Sequence, residues 1–240
     1  MAKEFGDYWD DLADVKAARG RARNVLRAVR KHHQRPRSVL ELGVGSGNVL
    51  RHFPATWARY GLDLYEQYLA LAQKKMPDAQ LLAASMHDFT FERRFDVIFS
   101  IFDSINFLEN FAQWRSTFKN VYEHLEDDGV FVFDTYTPLM LEKAKTWSIV
   151  TEEPFGYMWD KGVVRGNTLT WRFTIFEHLE GAHYEKNEFA FSERIYPVEK
   201  VEAELTKRFT ILEKIDAETL EAPTDDTIRL LYTAKKTRSL

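Results

Sequence analysis

Short runs rich in β-branched and aromatic residues alternate with segments of helical periodicity along the middle of this chain. The runs predict strands at 38–42, 57–62, 80–83, 95–101 and 130–135. The periodic segments predict helices at 48–55, 65–76 and 109–125, the last of them ending at Asp127-Asp-Gly. A repeated strand–helix–strand order requires right-handed crossovers, which place helices on both faces of a mostly parallel sheet. The sequence therefore predicts an α/β, doubly wound fold.

The pattern changes after Tyr136. Leu169, Trp171, Phe173 and Ile175 alternate with polar residues, and a second such run covers 184–196, which predicts antiparallel hairpins. Helical spacing returns at 198–209, before strands at 210–216 and 227–235. We therefore expect a seven-stranded core sheet interrupted by an antiparallel β insertion. Its three parts are a Rossmann-like core with an N-terminal helical cap (1–147), the insertion (148–197), and a C-terminal helix with the last two core strands (198–240).

Three glycines at alternate positions follow the first predicted strand, in Val39-Leu-Glu-Leu-Gly-Val-Gly-Ser-Gly-Asn. Such a loop allows backbone amides to approach a ligand closely at the carboxyl edge of the sheet. A dinucleotide site needs glycine where Asn48 stands, and a phosphate-binding P-loop needs Gly-Lys followed by Ser or Thr. A plain turn between strand and helix is the remaining alternative.

The motif Glu41-x-Gly43-x-Gly45-x-Gly47 resembles the first motif of class I S-adenosylmethionine-dependent methyltransferases. Tyr60-Gly-Leu-Asp-Leu is similar to their second motif, whose acidic residue holds the ribose hydroxyls, and Ala83-Ala-Ser-Met resembles the loop that packs on adenine. A carboxylate has enough acceptor sites for two hydroxyl donors, which suits Asp63 to that role. The resemblance implies S-adenosylmethionine as cofactor. The cofactor-binding residues implied are Tyr8, Glu41, Gly43, Val44, Gly45, Gly47, Asp63, Leu64, Ser85, Met86 and Ser100.

From Tyr8 onward the chain resembles a bacterial subgroup of these enzymes, a neighbour of the aminosugar N,N-dimethyltransferases with a similar antiparallel insertion. The segment that begins at Phe95 resembles the fourth strand and the loop beside the methyl group, which implies that Phe102 and Asn106 contact the acceptor. The candidates for a catalytic base are Asp103, His87 and Tyr157. The insertion is expected to close over the site as a flap that brings Trp159 and Arg172, and to offer a dimer surface. The segment Tyr8-Trp9 is expected to cover the cofactor.

Composition narrows the classes of site and location. There are no cysteines, which excludes disulfides, cysteine zinc sites and a thiol nucleophile, and the histidines do not have metal-ligand spacing. The N-terminus does not have the layout of a signal peptide, and no apolar run approaches the roughly 20 residues of a membrane helix. We expect a cytoplasmic protein without a metal, active as a monomer or homodimer on a small-molecule methyl acceptor.

Eight basic residues between Arg19 and Arg37 surround the apolar stripe Ala22, Val25, Leu26 and Val29. This spacing predicts an amphipathic helix whose basic face is solvated, with a phosphate-binding patch as the alternative. Nucleic acid is therefore not the expected partner. The functional alternatives are an RNA or nucleotide methyltransferase that uses this face, a nicotinamide-dependent oxidoreductase, and a non-catalytic module that binds S-adenosylmethionine.

Overall fold

The computed structural model describes residues 3–12 and 15–237, and its centre is a seven-stranded sheet. The parallel strands are β1 (Ser38–Leu42), β2 (Ala58–Asp63), β3 (Gln80–Ala83), β4 (Phe95–Ser100) and β5 (Leu125–Tyr136). Two later strands, β10 (Phe209–Asp216) and β11 (Arg229–Lys236), complete the sheet, and β11 is antiparallel to both of its neighbours. The spatial order β10-β11-β5-β4-β1-β2-β3 reverses direction between β1 and β4. Doubly wound folds bind ligands at such a reversal.

Helices cover both faces of this sheet, as predicted. One face packs on α2 (Val15–His32) and α3 (Glu66–Lys75), and the other on α4 (Phe111–His124) and α6 (Val198–Leu205). Two short helices, α1 (Gly6–Leu12) and α5 (Leu139–Ala144), lie outside these layers. The apolar stripe of α2 that the sequence identified is buried against the sheet. None of the helices in the described part of the chain is long and apolar enough to cross a membrane.

The insertion is a separate antiparallel sheet of four strands. In spatial order they are β6 (Ser148–Glu153), β7 (Gly156–Arg165), β8 (Thr168–His178) and β9 (Tyr184–Arg194). One face, which we call the inner face, packs on α1 and α5 through residues such as Phe173, Ile175 and Leu169. The opposite, outer face carries the alternate residues of each strand.

Two predicted elements differ from the structure. The helix predicted at 48–55 is a single 3-10 turn, Leu50–His52, because Pro54 forces Phe53 into extended backbone (ψ 153°). The helix predicted to end at Asp127-Asp-Gly ends at His124. Leu125 leaves the helix because it is fully buried in the sheet opposite Phe95.

Candidate active site

The glycine loop after β1 has the conformation that its sequence predicts. Gly43, Gly45 and Gly47 have φ of 78°, 52° and 78°, where residues with a Cβ are strained. A Cβ on Gly47 would also lie 2.7 Å from the side chain of Met76, and one on Gly43 would lie 3.0 Å from Ser104. The loop therefore requires glycine at these positions, where its backbone packs closely on Met76 and, at the carboxyl edge of the sheet, on Ser104 of the segment that follows β4.

Asp63 ends β2 and turns its carboxylate toward this loop. Oδ2 accepts a hydrogen bond from the Gly45 amide at 2.8 Å, and Oδ1 accepts one from the Tyr65 amide at 3.1 Å. Burial raises the pKa of Asp63, and the backbone amides of Tyr65, Gly45 and Leu64 partly offset this. Leu64 is 64% exposed and Tyr65 53% exposed, which leaves an apolar surface beside the carboxylate. A carboxylate next to exposed apolar side chains suits a nucleoside.

Glu41 lies beneath the glycine loop and is buried. It accepts a hydrogen bond from the Leu50 amide, whereas its Oε2 has no donor among the described residues. Burial raises the pKa of Glu41 well above its ordinary range. A glycine loop (the cradle) at the carboxyl edge of the sheet, a buried Glu41 oxygen without a donor among the described residues, and Asp63 at the strand end together fit a cofactor that carries hydroxyl and ammonium groups.

The loop after β3 closes the third side of the cradle. The Ala84 amide donates to the Asp63 carbonyl at 3.0 Å, and the buried methyl end of Met86 lies beside Gly43. The Ser85 hydroxyl hydrogen-bonds to Nδ1 of His87. The structure thus brings Met86 to the glycine loop, with the hydrogen-bonded pair Ser85 and His87 on either side of Met86 in the chain.

The segment after β4 contains two consecutive residues in left-handed backbone, Phe102 (φ 62°) and Asp103 (φ 51°). Left-handed backbone is strained for residues other than glycine, and it persists only where its surroundings impose it. Asp134 imposes it here: its carboxylate accepts the Phe102 amide at 2.9 Å and the Asp103 amide at 2.6 Å. Phe102 is consequently 38% exposed at the edge of the sheet, one residue before Asp103 and two before Ser104.

A buried cluster of charged groups supports this turn. Arg229, at the start of β11, forms an ion pair with Asp103 at 2.6 Å and donates to the Tyr136 hydroxyl at 2.7 Å. Burial raises the pKa of Asp134 to about 6, although Arg229 opposes the shift. Burial lowers the pKa of Arg229, but Asp103 and Asp134 outweigh burial and raise it above its ordinary value.

Glu193 of β9 brings the insertion into the same cluster. It is 2% exposed and hydrogen-bonds to the Asp103 carboxylate and to the Trp171 indole. Burial, together with the adjacent Asp103 charge, raises the pKa of Glu193 well above its ordinary range. Burial next to the Asp103 charge therefore favours the neutral form of the Glu193 side chain.

The stability of a Glu193→Gln variant is expected to depend less on pH than that of the wild type. The raised folded-state pKa favours folding at low pH, and this contribution is lost as the pH rises through that pKa. Glutamine does not ionise, yet its amide still donates to Asp103. Thermal unfolding should give similar melting temperatures at pH 5 and a more stable variant at pH 8. The exposed Glu188→Gln is the control, and parallel wild-type and Glu193→Gln curves would contradict a protonated Glu193.

Two residues predicted to contact ligands are buried and fully hydrogen-bonded within the protein. The Ser100 hydroxyl donates to the Leu42 carbonyl at 3.1 Å. The Asn106 side chain donates to the Arg194 carbonyl at 2.9 Å and accepts from Thr135 and the Tyr136 amide. A buried polar side chain needs partners within the protein, and these hydrogen bonds show that Ser100 and Asn106 join elements of the fold in this structure.

Tyr8 also has a different position from the one predicted. Its hydroxyl donates to Glu177 at 2.8 Å and accepts from Asn187 at 3.1 Å, both on the inner face of the insertion. The ring is buried there, so it anchors α1 to the insertion and does not face the glycine loop. The α1 backbone nevertheless meets α3, because a Cβ on Gly6 would lie 2.9 Å from Gln67. The side chain of Trp9 lies outside the described residues.

The structure does not bring Tyr157, Trp159 and Arg172 to the site. Tyr157 is 41% exposed and pairs with Phe176, the Trp159 indole donates to Ser148 at 2.9 Å, and Arg172 is exposed. All three have the strand parity opposite to that of Phe173 and Ile175, which pack inward. The alternation that predicted the strand therefore already placed Arg172 on the outer face, a consequence that our prediction overlooked.

Four further residues of the acceptor side were not predicted from the sequence: Arg21, Asp134, Glu193 and Arg229. Asp134 follows four buried apolar residues at the end of β5, and a carboxylate in such a place requires partners. This position was the signal in the sequence that could have indicated its role. Glu193 occupies an inward position of β9 opposite Leu169, which was a similar signal. The register that brings Arg229 opposite Tyr136 had no signal in the sequence.

Comparison with known proteins agrees with this geometry. Residues 39–129 match a family model described as a methyltransferase domain. A protein of Geobacillus sp. (strain WCH70) named as a methyltransferase is 26% identical over 98% of this chain and all of its own length. The dTDP-3-amino-3,4,6-trideoxy-alpha-D-glucopyranose N,N-dimethyltransferase of Streptomyces venezuelae is 32% identical over 48% of this chain and 49% of its own. The crystal structure of an S-adenosylmethionine-dependent methyltransferase from Clostridium acetobutylicum has the same fold, with a TM-score of 0.81, 20% identity and 95% of each chain covered.

Proposed function

We propose that this chain, which is an S-adenosylmethionine-dependent methyltransferase, transfers the methyl group to an amine nitrogen of a small-molecule acceptor. The observation that supports a small-molecule acceptor is the hydrogen bond from Asn106, in the segment after β4, to the Arg194 carbonyl of β9 at 2.9 Å, because it places the insertion sheet directly against that segment. The aminosugar relative from Streptomyces venezuelae supports an amine as the acceptor. The matches to methyltransferases favour this activity over the nicotinamide-dependent and non-catalytic alternatives.

The residues of the cradle suit distinct parts of the cofactor. Asp63 would accept hydrogen bonds from the ribose hydroxyls. The glycine loop would allow the cofactor to approach the protein backbone closely, and Met86 and Leu64 would pack on the adenine ring. Glu41 would supply an acceptor for an ammonium group. When bound, S-adenosylmethionine supplies a methyl group already activated on a sulfonium.

The remaining task of the protein is to hold the acceptor in line and to exclude water, and alignment alone contributes several kcal/mol. The inner face of the insertion and α1 perform the exclusion in this proposal. Asp103 is not a free base because it is paired with Arg229, and Tyr157 lies on the outer face. Of the three predicted bases His87 therefore remains, hydrogen-bonded to Ser85 next to Met86, and it would accept the proton that the acceptor amine loses.

Matched acceptors test this proposal. Amino sugars and aliphatic amines, each paired with the corresponding alcohol, are incubated with S-adenosylmethionine, and release of S-adenosylhomocysteine is measured together with the product mass. We expect methyl transfer to amines and none to the matched alcohols, with Asp63→Ala as the low-activity control. Transfer to phenols, carboxylic acids or RNA but not to amines would contradict it.

A further inference from the structure

Arg21 is the basic residue of α2 that reaches the acceptor side. Its guanidinium carbon lies 3.9 Å from the centroid of the Phe102 ring. Arg21 is half-buried, whereas Arg19, Arg23, Arg27 and Arg30 on the same helix are exposed. The exposed residues agree with the predicted solvated basic face, whereas Arg21 lies partly inside the protein and is not part of that face.

Among the described residues, the positive charge of Arg21 has no ion-pair partner of its own. No carboxylate within the described ranges 3–12 and 15–237 lies at ion-pair distance from it, although Asp134 and Asp103 attract it from farther away. Asp103 already pairs with Arg229, and Asp134 already accepts two backbone amides. Burial and the positive charge of Arg229 lower the pKa of Arg21, so the surroundings of this half-buried guanidinium disfavour its charge.

Arg21 also lies near the position of the reaction. The Phe102 ring that it contacts precedes Ser104 by two residues, and Ser104 meets the glycine loop at Gly43. Arg229 approaches the same ring, with its guanidinium carbon 5.5 Å from the centroid. A guanidinium fixed on an aromatic ring keeps its planar fork of donors available to a bidentate oxyanion.

We propose that Arg21 binds an oxyanion of the acceptor, either a phosphate or a carboxylate, while the acceptor amine lies at the cradle. This inference rests on the proposed function and narrows its substrate class to amines that also carry a negative charge. Arg21 is then a specificity-determining residue, and the attraction of Phe102 for the guanidinium holds it in place.

Anion binding is measured without turnover. Inorganic pyrophosphate, glucose 1-phosphate, glucuronate and glucose are titrated by calorimetry into protein saturated with S-adenosylhomocysteine. We expect the wild type to bind at least one of the anions and not glucose, with an affinity that falls as salt rises. Arg21→Gln should weaken that binding at least tenfold, Arg21→Lys should weaken it less, and the exposed Arg23→Gln should leave it unchanged. Preference for the phosphates or for glucuronate identifies the oxyanion.

The affinity for S-adenosylhomocysteine should be the same in all variants, which separates a lost anion site from a misfolded protein. If the wild type binds none of the three anions, or if Arg21→Gln binds them as the wild type does, the inference is wrong. Failure of this inference can be told apart from failure of the proposed function. Arg21-dependent anion binding without amine methylation would leave the anion site standing, whereas equal methylation of anionic amines by the wild type and Arg21→Gln would remove the site and keep the function.

Discussion

Replacement of Asp63 by alanine is expected to weaken the binding of S-adenosylmethionine by about tenfold to a hundredfold. Charge-assisted hydrogen bonds contribute roughly 1.5–3 kcal/mol each, and a factor of ten in affinity corresponds to about 1.4 kcal/mol. The Asp63 carboxylate lies at the carboxyl end of β2, 2.8 Å from the Gly45 amide, and it retains lone pairs for two hydroxyl donors. Calorimetry with S-adenosylmethionine and S-adenosylhomocysteine measures the loss directly.

Asp63→Asn separates the two tasks of this side chain. Its amide oxygen still accepts the Gly45 amide, and the exposed Tyr65 amide, which loses its acceptor, can bind solvent instead, so the melting temperature should fall only slightly. The amide nitrogen does not accept a hydroxyl, so the affinity for the cofactor should still fall. Cofactor affinity that is unchanged in both variants would remove Asp63 from the cofactor site.

Local sequence patterns were sufficient to predict the glycine loop and the position of Asp63. The glycines at 43, 45 and 47 and the aspartate that ends β2 each lie in a strand–loop–helix unit, where the sequence neighbours of a residue determine its surroundings. The positive φ of the three glycines follows from their residue type. The parallel order of the sheet then brings Gly45 and Asp63 together, because both follow neighbouring strands.

The acceptor side depends on contacts between residues distant in sequence, so local patterns did not predict it. Phe102 and Asp103 have left-handed backbone only because Asp134, about thirty residues later, accepts both of their amides. Asn106 was predicted as an acceptor contact because the segment that begins at Phe95 resembles the family's fourth strand and the loop beside the methyl group. Its burial against Arg194 of β9 depends on how the insertion docks, which strand periodicity does not determine.

Which residues of the insertion face inward is an exception, because the alternation of side chains along each strand could be taken directly from the sequence. Trp171 and Phe173 are inward because they alternate with Thr170 and Arg172. The same rule places Glu193 inward, two residues after the inward-facing Phe191. Applying parity to candidate residues as well as to core residues would have selected Glu193 over Arg172.

Replacement of Arg229 by methionine is expected to destabilise the protein by about 3–5 kcal/mol, the usual cost of removing one partner of a buried ion pair. Arg229 is buried, and it is the cation that contacts Asp103 at 2.6 Å and Tyr136 at 2.7 Å. Without it, Asp103 and Asp134 would be two buried charges close together, with Glu193 against them. Methionine has a similar length, so the expected loss comes mainly from charge and not from an empty cavity.

A destabilisation of this size should lower the melting temperature by roughly 10 °C in a chain of this length. The exposed Arg172→Met on the outer face of the insertion makes the same chemical change and should alter stability by less than about 0.5 kcal/mol. Both variants are compared with the wild type by thermal unfolding and by denaturant titration.

The loss of stability in Arg229→Met should also depend on pH and should increase as the pH rises. Arg229 opposes the raised pKa of Asp134 and of Glu193, so removing it raises the folded-state pKa of both carboxyls further; they then favour folding at low pH and oppose it as the pH rises through that pKa. The variant should therefore lie closest to the wild type near pH 5 and fall behind it toward pH 8. Asp103→Asn added to Arg229→Met should recover part of the stability, because it removes one of the charges left unpaired. A loss that is independent of pH and is not recovered by Asp103→Asn would mean that Arg229 stabilises the fold by packing and not by balancing the buried carboxylates.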